Sequence, residues 1–283
     1  MLHLNLLQVV VLSLLQGVTE LFPISSLGHT IILPGLLQWG DLIHNKNFLP
    51  IIVSLHLGTS IALVIYFRDE WIKVIKTIIK SIKDAEVHPG TDEWIGWLII
   101  IGIIPAGLLG VFLETPLKQL FGYPIVASIF LVVNGFMLLF GEYLRKRSLS
   151  KPTRSLNSLS LKDAFIVGVV QSFALIPGIS RSGSSMVAGL GLNLSHEDAA
   201  KFAFLLGTPV ISGAALLEIP DLFGQSGETL LLIGLGMILS GIAAYISTKY
   251  LLKYFEVGTL KPFGYYCIGA GILSLGIFLT VLR

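Results

Sequence analysis

Two interrupted apolar stretches decide how this chain folds: residues 16–29 read QGVTELFPISSLGH, and residues 171–185 read QSFALIPGISRSGSS. They cut the apolar regions 4–39 and 164–194 near their middles with Pro, Gly, Ser and ionisable residues. A half-length helix, a polar break and a second half-length helix form a re-entrant hairpin, which a bilayer tolerates only where protein or a wet cavity covers the broken backbone. The sequence therefore predicts two broken-helix hairpins at membrane depth.

The composition supports a membrane protein. Of 283 residues, 54% are hydrophobic and 13% are charged, whereas a soluble domain carries about 25% charged residues. Nineteen Lys and Arg against seventeen Asp and Glu leave a net charge of +2. The basic residues lie in loops rather than on one face, which argues against a nucleic-acid partner. The single cysteine, Cys267, leaves no internal disulfide.

Six further apolar segments predict membrane-spanning helices, because crossing the bilayer takes about 20 residues. They are residues 49–67, 95–113, 121–140, 202–217, 229–248 and 262–282. Residues 1–19 contain no Lys or Arg, so a cleaved signal peptide is not expected. The predicted fold class is all-α: a polytopic membrane protein with six transmembrane helices and two re-entrant hairpins.

Loop charges predict the orientation, because Lys and Arg close to span ends favour the cytoplasm. Loops 68–94, 141–163 and 249–261 are basic and are expected to be cytoplasmic. Loops 114–120 and 218–228 are neutral or acidic and are expected to be external. Both chain termini are then predicted on the outer face.

Each hairpin is followed by three predicted spans, which indicates an internal repeat. One integral membrane domain, residues 1–283, would hold repeat one (about 1–145) and repeat two (about 160–283), joined by a basic cytoplasmic linker. Because three is odd, the halves enter the bilayer from opposite sides, as in the inverted repeats of many transporters. We expect the two breaks to form one composite site.

Short echoes between the halves support the repeat. Gln16 precedes the first break much as Gln171 precedes the second, and the Leu-Gly-Thr sequence at 57–59 recurs at 206–208.

The first break holds two ionisable residues, Glu20 and His29. Ionisable groups inside a bilayer are costly, so a functional role is the default interpretation. The alternative is that Glu20 is a solvated helix end and His29 a hydrogen-bonded core histidine. Because both flank Pro-x-Ser-Ser-x-Gly, the functional interpretation is favoured.

In the second break, residues 177–185 hold Arg181 among four serines and two glycines. Arginine offers planar bidentate hydrogen bonds to phosphate, and glycines and a helix N-terminus add backbone donors. The alternative, an arginine anchored at the interface, has no need of the serines and glycines. The sequence predicts an oxyanion site.

Together the breaks offer a carboxylate, an imidazole, hydroxyls and a guanidinium. A carboxylate beside phosphate oxygens suits a divalent cation such as Mg²⁺, with Ca²⁺ as an alternative. The set of groups suits phosphoryl transfer from a lipid whose tail stays in the bilayer.

Both breaks closely resemble the motifs of the bacterial undecaprenyl-diphosphate phosphatases, the BacA-type family associated with bacitracin resistance, and the resemblance spans essentially the whole chain. The second motif, P-G-x-S-R-S-G, matches residues 177–183 without change. The first motif matches at Gln16, Gly17, Thr19, Glu20, Pro23, Ser25, Ser26, Gly28 and His29.

Three positions depart from the family pattern. Gln16 stands where some members have a second glutamate, which leaves more of the metal-binding role to Glu20. Leu21 and Phe22 invert the usual order, and Leu27 replaces a common Ser or Thr.

The resemblance implies hydrolysis of undecaprenyl diphosphate to undecaprenyl phosphate and inorganic phosphate, at a site opening on the outer face of a bacterial plasma membrane. By position, Glu20 would hold the metal and Arg181 would clamp the diphosphate. Ser26 would be the nucleophile and His29 the general base and later acid; attack by His29 itself or by water stays open. The expected substrate-binding residues are Ser25, Gly178, Ser180, Ser182 and Gly183.

Two other functions are considered. A polyprenyl-phosphate transporter or flippase would share the inverted repeat but needs no nucleophile. A type-2 phosphatidic acid phosphatase would share Ser-x-Gly-His at 26–29, but it also requires a Lys-x6-Arg-Pro element, and the chain contains no Arg-Pro dipeptide. A homodimer is left open.

Other polar residues receive structural interpretations. His56 and Asn134 lie within spans and are expected to hydrogen-bond to neighbouring helices, although His56 could approach the site. Lys201 is expected to be an interfacial anchor. Residues 71–83 predict an amphipathic helix on the anionic inner leaflet.

Overall fold

The computed structural model describes residues 5–43, 45, 48–113, 119–120, 122–148, 150, 152–222 and 224–282. Within these ranges the chain is helical and contains no β-strand. The predicted all-α, polytopic fold class is confirmed. Residues 114–118 of the predicted external loop 114–120 lie outside the described residues.

Both predicted broken-helix regions are present. The first is α1 (Leu6–Thr19) followed by α2 (Ser26–Leu36). The second is α8 (Leu161–Ser172), a 3-10 turn at Phe173–Leu175, and α9 (Arg181–Gly191). These helices have 14, 11, 12 and 11 residues, fewer than the roughly 20 that cross a bilayer.

Six helices in the described part of the chain are long and apolar enough to span a membrane. They are α4 (Phe48–Tyr66), α6 (Asp92–Phe112), α7 (Pro124–Arg147), α10 (His196–Glu218), α11 (Gly227–Phe255) and α12 (Lys261–Thr280). Helix α10 begins six residues before its predicted start at 202, because Ser195 caps it through the amide of Asp198. Its first turn carries Glu197 and Asp198, which favour a helix N-terminus but interrupt an apolar run.

Two shorter helices connect the spans in the first half, α3 (Gly40–Ile43) and α5 (Arg68–Asp84). Helix α5 is the predicted amphipathic helix. It buries Val74 and Ser81, and its Ile72, Ile75 and Ile79 are exposed.

The half-helices pack against the opposite half of the chain. Helix α1 lies on α11, and α8 lies on α6. Each contact is close at a glycine, since a side chain at Gly17 would overlap the backbone of Ser240 and one at Gly168 would overlap Gly102. Because each of these half-helices packs against a helix of the other half, the two breaks are held next to each other. The repeat boundaries and the membrane side of the termini stay predictions.

Candidate active site

The first break turns sharply between α1 and α2. Ser25 has φ 69° and ψ 99°, a left-handed conformation that is strained for a residue with a side chain. Its hydroxyl accepts the amide of Gly28 at 3.2 Å and so caps α2. This turn sets Ser26 at the first position of α2, with Glu20 just beyond the end of α1.

The second break meets the first through its backbone. Gly178 has φ 103°, which glycine adopts without steric cost, and its Cα would lie 2.9 Å from a Cβ added at Gly28. Ser180 caps α9 by accepting the amide of Gly183 at 3.1 Å, which places Arg181 at the start of that helix.

Asn134 of α7 joins the two breaks. Its Nδ2 donates to the Pro23 carbonyl at 3.0 Å, and its Oδ1 accepts the Ser180 amide at 2.8 Å. Asn134 is fully buried. The expectation that it bonds to neighbouring segments is confirmed, and the structure adds that these segments are the two breaks.

Glu20 and Arg181 form a buried ion pair. Glu20 Oε1 accepts from Arg181 Nη2 at 3.1 Å and from Nε at 3.3 Å. The side chains are 5% and 12% exposed. Arg181 Nη1 donates to the Ala203 carbonyl of α10 at 2.9 Å. The Arg181 guanidinium is therefore held between the carboxylate of Glu20 and the backbone of helix α10.

The other oxygen of Glu20, Oε2, accepts hydrogen bonds from two side chains and lies close to a third. Ser26 Oγ donates at 2.5 Å and Gln16 Nε2 at 3.1 Å, and His56 Nε2 lies at 3.3 Å. The Ser26 distance is in the range of a charge-assisted O–H···O⁻ bond. Ser26 therefore points its proton at a carboxylate.

A cavity of about 130 Å³ opens over these groups. Its polar lining comes from both breaks and from α4 and α8: Glu20, Ser25, Ser26, His56, Gln171, Ser180 and Arg181. The rest of the lining is apolar and comes mainly from Val53, Ala106, Ala174, Leu175, Val210 and Ala214. A polar floor beneath an apolar wall suits a charged head group that carries a hydrocarbon chain.

The sequence model of the family described as bacitracin resistance protein BacA matches residues 9–273. This chain belongs to the BacA family. It is 42% identical over 277 residues to undecaprenyl-diphosphatase 2 of Chromobacterium violaceum, covering 96% of this chain and 98% of that protein. It is 45% identical over 271 residues to undecaprenyl-diphosphatase 2 of Burkholderia thailandensis, covering 95% and 96%. It is 40% identical over 301 residues to the undecaprenyl-diphosphatase of Mycolicibacterium paratuberculosis, covering 96% and 97%.

The structure of this BacA-family chain brings three of the four predicted catalytic residues together, namely Glu20, Ser26 and Arg181. It does not bring His29 to Ser26. His29 Nδ1 lies 2.7 Å from the Ser25 carbonyl, and Nε2 lies 2.9 Å from the Tyr266 hydroxyl of α12. The imidazole that faces Glu20 in the cavity belongs to His56 instead.

The predicted substrate-binding residues separate into two groups. Ser25 and Ser180 line the cavity. Ser182 lies behind it, because its hydroxyl faces the carbonyls of Glu20 and Phe22 at 3.4 Å each. Gly183 gives its amide to the Ser180 cap, and Gly178 packs on Gly28. These three residues shape the break in this structure rather than face the cavity.

The arrangement does not fit a preformed Mg²⁺ site. Both oxygens of Glu20 are already engaged, because Arg181, Ser26 and Gln16 donate hydrogen bonds to them and His56 Nε2 lies 3.3 Å from Oε2. Among the described residues, no three His, Cys, Asp or Glu side chains are grouped so that they could hold a metal ion. A cation needs free carboxylate or phosphate oxygens, and here the protein supplies no free carboxylate.

Sequence analysis did not assign a site role to Gly207 or to the Ala203 carbonyl. A Cβ at Gly207 would overlap the guanidinium of Arg181, so only glycine leaves room for this side chain. The sequence feature that could have indicated Gly207 is the Leu-Gly-Thr sequence repeated at 57–59 and 206–208. His56 directly precedes its first copy.

Proposed function

We propose that this protein is an undecaprenyl-diphosphatase, which hydrolyses undecaprenyl diphosphate to undecaprenyl phosphate and inorganic phosphate and so recycles the lipid carrier of cell-wall synthesis. The observation that carries the proposal is the hydrogen bond of 2.5 Å from Ser26 to Glu20, made beside Arg181. A hydroxyl, a base and an anion-binding guanidinium thus meet under an apolar wall. Membership of the BacA family and similarity to proteins named undecaprenyl-diphosphatase support the same activity.

Substrate binding would begin with Arg181. Its guanidinium is pre-positioned at the cavity, and a diphosphate competes with Glu20 for its planar pair of donors. A carboxylate that loses a cationic partner binds a proton more readily. Binding of the substrate would therefore prepare Glu20 to accept the proton of Ser26.

In the chemical step, Ser26 Oγ attacks the terminal phosphorus while its proton passes to Glu20. The bond between that phosphorus and the bridging oxygen breaks, and undecaprenyl phosphate leaves with the electron pair. Water then cleaves the phosphoserine, releasing inorganic phosphate and restoring Ser26. The roles of nucleophile for Ser26 and of base for Glu20 are proposals. His29, the base expected from the sequence, would have to leave Ser25 and Tyr266 to act.

The divalent cation expected from the sequence also remains a proposal. Both oxygens of Glu20, the residue that would hold it, are engaged by Arg181, Ser26 and Gln16 in this structure.

Phosphate release by purified protein tests the function. We expect farnesyl diphosphate and undecaprenyl diphosphate to yield inorganic phosphate, and we expect Arg181→Ala to abolish the release. A folded wild type that releases no phosphate, but moves a polyprenyl phosphate across proteoliposomes, would favour the transporter.

Topology and assembly are finer proposals. We place both termini and the opening of the site on the outer face of a bacterial plasma membrane, from the basic loops. Alkaline phosphatase fused at the C-terminus should then be active. An inactive fusion would indicate the opposite orientation. The homodimer left open by the sequence is testable by the mass of the detergent-solubilised protein.

A further inference from the structure

Two glutamines occupy matching positions before the two breaks, but their amides are used differently. Gln16 Nε2 donates to Glu20 Oε2 at 3.1 Å. Gln171, in α8, accepts the Ser185 hydroxyl of α9 on Oε1 at 3.1 Å. That bond orients the amide, and Gln171 Nε2 is one of several buried side-chain atoms with no hydrogen-bond partner among the residues described.

The unpaired amide nitrogen of Gln171 is buried, on a residue that lines the cavity. Gln171 is 2% exposed, and it lines the cavity together with Ser180 and Arg181. A buried N–H group without a partner is destabilising and is rare in folded proteins. An oriented, unpaired donor beside an arginine is what an anionic ligand requires.

The position of Gln171 selects one part of the ligand. Residues three and four positions further along a helix lie on the same face, and here these are Ala174 and Leu175, in the turn that continues α8. Both belong to the apolar wall. Gln171 therefore lies at the border between the polar floor and the surface that suits the hydrocarbon chain.

We propose that Gln171 is a substrate-binding residue that donates its Nε2–H to the phosphate attached to the prenyl chain. This inference rests on the proposed function. That phosphate leaves as undecaprenyl phosphate. When the bridging oxygen separates from the attacked phosphorus, it keeps the electron pair, and the amide stabilises the added negative charge without transferring a proton. Gln171 thus acts on the leaving group, and Ser26 acts on the terminal phosphate.

The test compares Gln171→Met with wild type, because methionine keeps the length of the side chain but removes the donor. Direct binding of farnesyl monophosphate and of inorganic phosphate is measured by calorimetry, which needs no turnover. We expect Gln171→Met to weaken farnesyl monophosphate binding about tenfold or more, the effect of losing one hydrogen bond to a charged group. Binding of inorganic phosphate should stay within about twofold of the wild-type value, and kcat for farnesyl diphosphate should fall by about tenfold or more.

Ser172→Ala is the matched control. Ser172 is the next residue of α8, is buried, and bonds only locally to the Gly168 carbonyl at 2.8 Å. Both affinities should stay at the wild-type level in this variant. Gln171→Glu covers the case in which the methionine variant does not fold. It keeps an acceptor for Ser185 but replaces the donor by a negative charge, so farnesyl monophosphate binding should be lost.

Three outcomes would overturn the inference. If the binding of both ligands were weakened equally, the Gln171 amide would contact the terminal phosphate instead. Unchanged farnesyl monophosphate binding in Gln171→Met would remove Gln171 from the substrate site. The same loss of farnesyl monophosphate affinity in Ser172→Ala would attribute the effect to the packing of α8. A wild type that binds both ligands but releases no phosphate would instead refute the proposed function and leave the binding comparison able to decide the role of Gln171.

Discussion

Glu20 and Arg181 are 161 positions apart in the chain and lie 3.1 Å apart in the structure, measured from Oε1 to Nη2. Each comes from the break of a different half, so neither half contains the site by itself. The pairing of Glu20 with Arg181 also offsets the free-energy cost of burial, because each charge would be strongly unfavourable if it were buried alone. The ion pair is therefore one of the contacts between the breaks and also part of the resting state of the site.

Arg181→Ala should lower phosphate release at least about 100-fold, because it removes the anion clamp and leaves the charge of Glu20 unpaired. Arg181→Lys should recover little activity, since lysine keeps the charge but cannot make the planar pair of bonds. Release from farnesyl diphosphate is measured on protein that elutes as the wild type does in detergent. Near-normal activity of the lysine variant would contradict a bidentate clamp.

Glu20→Gln should also cost at least about 100-fold in kcat, since the amide keeps the size of the side chain but cannot accept the proton of Ser26. Glu20→Ala should be at least as inactive. Thermal melting in detergent separates lost chemistry from lost structure. A glutamine variant with more than a tenth of wild-type activity would exclude Glu20 as the base.

Ser26→Ala should lose at least about 100-fold in phosphate release, because the nucleophile is removed. His29→Gln should retain at least about tenfold more activity than Ser26→Ala, since His29 contacts Ser25 and Tyr266 rather than Ser26. Trapping of a phosphorylated protein during turnover provides an independent measurement. Ser26→Ala with full activity, or a phosphohistidine at position 29, would overturn the assignment.

Gly207→Ala should lower activity about 100-fold, because the added methyl group occupies the space of the Arg181 guanidinium. Gly213→Ala is the matched control: it lies on the same helix, α10, and a Cβ there meets nothing within 4 Å. The control should keep wild-type phosphate release. Equal losses in both variants would attribute the effect to α10 as a whole.

Gln16→Glu should make activity more dependent on a divalent cation. Gln16 Nε2 lies 3.1 Å from Glu20 Oε2, and two carboxylates this close repel unless a proton or a metal ion lies between them. The measurement is phosphate release with Mg²⁺ and after EDTA, for wild type and variant. We expect EDTA to inhibit the variant more strongly than wild type, and equal inhibition would contradict a metal site at this pair.

Much of the fold is predictable because its causes are local. Apolar length and helix-breaking residues are properties of short segments, and they identified the six candidate spans and both broken-helix regions seen in the described residues. The starts of helices were less accurate, as at α10, because an N-cap and an acidic first turn extend a helix beyond its apolar core.

Which of the two histidines, His29 or His56, faces the cavity could not be predicted from the sequence. Both lie in apolar helices, His29 in α2 and His56 in α4, and the motif favoured His29 as the partner of Ser26. The structure turns His29 towards Tyr266 and turns His56 towards Glu20. Which ring faces the cavity depends on the rotation of α2 and α4 about their axes, and this is set by packing against helices distant in the chain.

By itself the sequence determined the membrane class, the two breaks and the residue types that meet a diphosphate, since these follow from composition and local pattern. Only the tertiary structure decided which oxygen of Glu20 faces Ser26, that Gly207 makes room for Arg181, and that Gln171 keeps a free amide. Those features depend on how separate helices pack around the Glu20–Arg181 contact, which joins residues 161 positions apart at 3.1 Å, and hydrogen bonds weaken steeply beyond that range.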